Sequence, residues 1–362
     1  MIMTKIKLLL LVIVISYGSG FAQIPPGYYD PANGLTGTSL QLALHNIIKD
    51  HTVLSYSSLY ASFESSDAKP DGTVWDMYSD IPDGTANGNP PYIYHFVDGD
   101  HCGNYSQEGD CYNREHSFPS SWFGDNTPMY TDLFHLIPTD GYVNNRRSNY
   151  PLGDVGSATW TSLNGSKLGT CSAPGYSGTV FEPIDEYKGD FARSYFYMSV
   201  RYYTEDSGWP GSPMVTGSQL KPWALEMLKI WSVQDPVSTK ELNRNNAVYN
   251  DQHNRNPFID HPEYVSAIWG NTTGIFDITD YVNVSVYPNP VGNSCQVDVT
   301  GLESKQNAVL LVYDITGRRE MLDISRKGNH FELNTSTLSP GIHILCVQQG
   351  NGKIETRARF VK

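Results

Sequence analysis

Apolar residues recur at helical spacing in three stretches of the chain. In 39–49, SLQLALHNIIK, Leu40, Leu44, Ile47 and Ile48 share one face behind Ser39, which predicts an amphipathic helix capped by that serine. Residues 190–203, DFARSYFYMSVRYY, repeat the spacing through Phe191, Tyr195, Met198 and Tyr202. PWALEMLKIWSVQD, 222–235, opens with Pro222 in the first helical turn, where its missing N–H costs nothing. These helices are expected to bury the core, while 55–60 either extends the first or begins a new element. From 70 to 111 the pattern changes to Gly, Asp, Asn and Pro around short runs such as PYIYHFV, which predicts strands and turns. Beyond about residue 277 it changes again. From VNVSVYPNP onward, alternating runs separated by turn residues predict a small antiparallel β-sandwich.

The first 23 residues place Lys5 and Lys7 before an apolar run over 8–15, then Gly18, Ser19, Gly20 and Ala22. This is the pattern of a secretory signal peptide cut near Gln23, since a membrane span needs ~20 continuous apolar residues. Export makes disulfides permissible for the five cysteines, Cys102, Cys111, Cys171, Cys295 and Cys346. Cys102 and Cys111 would close a short loop, and the odd count leaves a thiol over. No CxxC spacing suggests a zinc ribbon. The net charge of −13 argues against whole-surface attraction to nucleic acid, so an enzyme acting on it must focus basic residues at one site.

Two blocks carry the candidate chemistry: NREHSFP, 113–119, and TDLFHLIPTDGYVNNRRSNYPLG, 131–153. Glu115 and the amide carbonyl of Asn144 are hard oxygen donors suited to Mg²⁺, with Mn²⁺ or Ca²⁺ as substitutes. His116 is the side chain best matched to taking a proton from water near neutral pH. Adjacent residues of an extended strand point to opposite sides, whereas a bulge or loop brings them together, so the dipeptide alone leaves the geometry open. Arg146 and Arg147 follow Asn144 within one helical turn and can hold a phosphate by paired hydrogen bonds. His135, between Phe134 and Leu136, reads as a buried supporting histidine. The bland readings are a chance Glu-His dipeptide and a solvated Arg-Arg pair.

Taken together, these blocks resemble the endonuclease I family of secreted, non-specific nucleases in the His-Me finger superfamily, as do FEP, KGDFARSYFYMSVRY and RNNAVYNDQHNRNPFIDHPEYV further on. The resemblance covers about residues 30–270. It implies an α+β fold in which a ββα-metal motif with additional helices delivers a histidine from a strand and a metal ligand from the following helix. His116 would then be the general base, with Glu115 and Asn144 holding the metal. Some relatives support the phosphate with an arginine between the two blocks, where SSWFGDNTPMY here has none. The resemblance then implies that the role is either lost or transferred to Arg147, Arg146 or Arg193, with Arg147 placed first and Arg146, Arg193 and Arg114 as substrate contacts. The segment with VYPNPVGN, VYDITGRRE, LSPGIHIL and ARFVK resembles the type IX secretion sorting domain, which implies recognition by an outer-membrane export machine.

The expectation is a signal peptide over 1–23, a nuclease domain over 24–276 and a sorting domain over 277–362. The protein would be a secreted or surface-attached monomer that hydrolyses DNA, and RNA as a second substrate, with little sequence preference and with 5′-phosphate products. Two rivals are a metal-dependent phosphodiesterase for small substrates and a surface binding protein that has lost catalysis.

Overall fold

The computed structural model describes residues 24–81, 92–270, 283–300, 309–314, 318–327, 330–348 and 354–362. The expected signal peptide and the expected boundary at 277 lie outside these described residues. By its contacts the chain divides into two units, Met1–Thr273 and Gly274–Lys362.

Helix α1, Gly37–Ile48, buries Leu40, Leu44 and Ile48 completely. It begins ahead of Ser39, because extended Thr36 is the N-cap and its carbonyl takes the first helical bond from Leu40 N. Residues near 55–60 start a new element: the Ser55 hydroxyl caps a short 3₁₀ turn, Tyr56–Ser58, that runs into α2, Leu59–Ser66. The run PYIYHFV forms no strand over its described residues. One backbone bond ties Tyr94 to Val74, and aromatic packing of Tyr94 on Tyr112 holds the segment.

Strands β1, Tyr112–His116, and β2, Leu136–Asp140, pair antiparallel in unbroken register, with Glu115 opposite Ile137 and His116 opposite Leu136. Helix α3, Gly141–Arg147, follows β2 directly. A three-stranded antiparallel sheet comes next, from β3, Val155–Thr161, β4, Lys167–Cys171, and β5, Thr179–Glu182.

Helix α4, Asp185–Arg201, is buried on nearly every side, as expected of a helix running through a core. Its buried cations are matched, Lys188 by Glu182 and Arg193 by Glu241. A two-residue ribbon, β6, Val215–Thr216, and β7, Gln219–Leu220, leads to α5, Pro222–Gln234, which packs on α4. Helix α6, Thr239–Gln252, is too polar to announce itself by periodicity. Its signal is a capping box, with Ser238 and Glu241 each accepting from the other's backbone N–H. Short helices α7, Pro257–Asp260, and α8, Tyr264–Trp269, close the unit.

The second unit contains eight described strands: β8, Asn283–Tyr287; β9, Ser294–Thr300; β10, Val309–Asp314; β11, Arg319–Glu320; β12, Ile324–Lys327; β13, His330–Asn334; β14, Ile342–Gln348; and β15, Ile354–Val361. They form two antiparallel sheets, ordered β11-β10-β14-β15 and β12-β13-β9-β8. Val297 and Leu333 from one sheet share a core with Val312, Leu345 and Phe360 from the other, which is sandwich packing. Among the described residues, no helix is long and apolar enough to cross a membrane.

Candidate active site

The α3 terminus is set by buried carboxylates. Asp140 is its N-cap, with Oδ1 accepting from Val143 N at 2.8 Å. Oδ2 accepts from the Tyr94 hydroxyl at 2.6 Å and Gly109 N at 2.9 Å, while Asp140 N donates to Asp76 Oδ2 at 2.9 Å. Alanine at 140 removes the cap and strands the buried Tyr94 hydroxyl, so Asp140→Ala should cost about 2–4 kcal/mol. The urea midpoint reads this loss; an unchanged midpoint would mean that these bonds do not set the helix.

Regular pairing leaves β1 without a bulge, so its side chains alternate. Asn113 and Glu115 face α3. Asn144 Nδ2 donates to Asn113 Oδ1 at 2.7 Å, and one turn later Arg147 Nη1 donates to Glu115 Oε1 at 3.0 Å. Arg114 and His116 leave by the opposite face, toward Tyr56, Tyr60 and Tyr130.

His116 Nε2 lies 3.0 Å from the Tyr130 carbonyl, so Nε2 carries the proton and Nδ1 keeps its lone pair. Burial is the main cause holding its pKa down to about 3, with His135, Arg114 and Arg147 adding to the effect. The imidazole is therefore neutral near pH 7, the form that accepts a proton. A phosphodiester anion arriving beside it would act in the opposite sense and favour the imidazolium.

Glu115 is 3% exposed. Its Oε1 takes the bonds from Arg147 and from the Tyr78 hydroxyl at 2.8 Å, leaving Oε2 with neither. Burial raises its pKa to about 7, against the opposing pull of Arg147 and Tyr78. A cation at Oε2 would stabilise the charged form. Asn144 commits its Nδ2 to Asn113, which leaves the Oδ1 carbonyl as an acceptor at the same β1–α3 face. These two oxygens fit a hard divalent ion that takes most of its ligands from water and phosphate. Among the described residues no cage of three His, Cys, Asp or Glu side chains exists, so a resident ion would rely on such a sparse set.

The arginines divide into two groups. Arg147 and Arg193 are each 1% exposed. Arg147 is committed to Glu115, the carbonyls of His116 and Ser117, and the Tyr195 hydroxyl. Arg193 forms a two-pronged bond with Glu241 and also donates to the Asp235 carbonyl. The sequence expectation has these two holding phosphate; in the structure every nitrogen of the Arg193 guanidinium is engaged by protein acceptors, and Arg147 has both Nη atoms engaged while its buried Nε has no partner.

Arg146 is exposed and rests against the Tyr142 hydroxyl at 2.7 Å. Arg114 is half-buried, lying 3.6 Å from the Tyr56 ring centroid and 4.5 Å from that of Tyr60, with Nη1 on the Tyr56 carbonyl. Among the described residues neither Arg114 nor Arg146 pairs with a carboxylate.

His135 is buried, its ring 5.6 Å from that of His116, and its Nε2 meets the Met129 carbonyl at 2.7 Å. Cys102 and Cys111 form a disulfide just before β1. Cys171, Cys295 and Cys346 are buried and stand outside any disulfide.

Sequence reasoning missed Tyr78, Tyr130 and Asp132. Asp132, fully buried, takes hydrogen bonds from Tyr197, Tyr202 and Gln252 and so pins the loop that carries Tyr130 and His135. The abundance of Tyr was the visible signal, though nothing in it said which tyrosines converge.

The relatives of this chain are nucleases by name. It is 39% identical over 252 residues to an extracellular ribonuclease of Bacillus amyloliquefaciens, covering 67% of this chain and 78% of that one. A Bacillus subtilis extracellular ribonuclease is 37% identical over 251 residues with the same coverages. An Endonuclease-1 of Buchnera aphidicola is 30% identical over 130 residues, 36% of this chain and 46% of the relative. The protein is a nuclease, a hydrolase of nucleic acid. Residues 36–263 match the Endonuclease I model, more than half of the chain, and the chain belongs to that family. Residues 285–361 match a secretion system C-terminal sorting domain, so the protein is exported, to the medium or the cell surface.

Proposed function

We propose that this exported nuclease is a Mg²⁺-dependent endonuclease of the His-Me finger type, with 24–276 as its nuclease domain and 277–362 as its sorting domain. It acts as a monomer on DNA, and on RNA as well, with little sequence preference. The observation that carries this reading is the Nε2–H bond from His116 to Tyr130, which leaves Nδ1 free to accept a proton from the attacking water. Glu115 and Asn144 would hold the cation at the β1–α3 side, and when bound it would supply positive charge that offsets the charge building up on the phosphoryl group.

Arg114 orients the phosphate from the His116 face, and Arg146 steers the backbone from outside. Water attacks phosphorus as His116 takes its proton, the bond to the 3′ oxygen breaks, that oxygen takes a proton from a second water, and His116 returns its own to solvent, so the fragments carry 5′-phosphate and 3′-hydroxyl ends. Phosphate contacts without a base-reading element imply weak sequence preference. The relatives are named both ribonuclease and endonuclease, which supports a broad choice of sugar.

Plasmid digestion should stop on chelation and return when Mg²⁺ is restored, with labelled ends confirming the 5′-phosphate. Cleavage indifferent to chelator would remove the metal from the mechanism. An intact plasmid beside rapid hydrolysis of a small phosphodiester would favour the small-substrate reading, and loss of both activities would favour a binding protein.

A further inference from the structure

A cleft of about 420 Å³, within the ~300–1,000 Å³ common for small-ligand pockets, is joined to the site through Trp122, whose ring meets that of Tyr195, the tyrosine bonded to Arg147. It adjoins both catalytic segments: Trp122 comes from the loop that follows His116, and Asn149 and Tyr150 come from the chain just beyond α3. None of its lining side chains is charged. That makes it a poor phosphate site but a suitable one for a planar, neutral, polar group.

Its wall is built for stacking. Tyr176 lines the cleft and is itself stacked on Trp223, with ring centroids 4.7 Å apart and planes 14° from parallel. The Trp223 indole N–H is held by the Pro213 carbonyl at 3.0 Å, so the backing ring is fixed. Hydrogen-bonding groups stand ready around the wall. Ser212 Oγ accepts from Met214 N and Val215 N, which leaves its hydroxyl proton to donate. The Asn149 amide makes no hydrogen bond among the described residues, so it offers a donor and an acceptor together.

We propose that this cleft is a nucleotide subsite that takes an unpaired nucleobase flanking the scissile phosphodiester, stacked on Tyr176 and held by Asn149 and Ser212, whose donors and acceptors suit the edge of any base. The inference rests on the nuclease reading above. A base inside a duplex is stacked and paired, so the subsite favours single-stranded nucleic acid or frayed ends. A phenol face accepts any base, which adds affinity without selecting a sequence.

The test compares the full-length protein with Tyr176→Ala, Tyr176→Phe and Asn149→Ala. Two single-stranded oligonucleotides of equal length serve as substrates, one with bases and one with abasic residues on an intact phosphate backbone. On the base-containing strand, Tyr176→Ala should raise KM about tenfold with kcat little changed, and Asn149→Ala should raise it less. Tyr176→Phe keeps the stacking face and should match the wild type. On the abasic strand, wild type and Tyr176→Ala should be alike. An unchanged KM for Tyr176→Ala on the base-containing strand overturns the subsite. An equal loss on both strands also overturns it, since the tyrosine would then act on the fold or the backbone. If the wild type cleaves neither strand while still digesting plasmid, the subsite is overturned, because a site for unpaired bases requires cleavage of single strands; loss of plasmid digestion as well would instead sink the endonuclease reading.

Discussion

Replacing His116 with alanine should lower kcat on plasmid DNA by about 10²–10⁴, the usual worth of a positioned general base, with KM little altered. The argument is one of placement. Tyr130 fixes the ring tautomer, and the tyrosines around His116 keep it neutral and oriented. None of those contacts grips substrate, so the loss should fall on the chemical step. An unchanged melting temperature would exclude collapse of the fold as the cause. Retention of wild-type kcat by His116→Ala would overturn the assignment of the base.

Arg147→Ala should be the most destabilising single change at the site. Removing one member of a buried ion pair strands the other, at a cost of about 3–5 kcal/mol. Here the stranded group is the Glu115 carboxylate, and the carbonyls of His116 and Ser117 lose a donor as well. At about 2–4 °C per kcal/mol for a domain of ~150–250 residues, the melt should fall by roughly 6–20 °C. The double variant Glu115→Gln with Arg147→Met should recover much of that loss, because no charge is left unpaired, while activity stays low because the proposed metal ligand is gone. A melt unchanged by Arg147→Ala would mean that water relieves the carboxylate, and the pair would not be the brace described here.

Much of the architecture was legible in the residues, and the failures have physical causes. Helices α1, α4 and α5 follow from an apolar period of 3.6, although α4 begins before the expected window at Asp185. Helix α6 carries too little apolar surface to show the period, and only its capping box marks it. The run PYIYHFV has strand composition but finds no continuous partner edge among the described residues, so composition misled. At the site, residue type pointed to Glu115, His116 and Asn144. It could not show that Glu115 and His116 leave opposite faces of β1, since that depends on the unbroken register with β2. The different surroundings of the two arginines were hidden for a related reason. An Arg-Arg pair reads as one patch in sequence, whereas successive residues of a helix diverge by about 100°. That rotation sends Arg146 to solvent and Arg147 inward.

The division of β1 into two faces also restricts how this segment can change over evolutionary time. Substitution can tune either face by itself: residues 114 and 116 meet the tyrosines, and 113 and 115 meet the helix. Insertion or deletion cannot, because a shift of one position exchanges the faces and would aim the imidazole at α3 and the carboxylate at the aromatic side. Changes in length must instead be absorbed between the strands, over 117–135, and there only in the stretches that leave Tyr130, Asp132 and His135 where they stand.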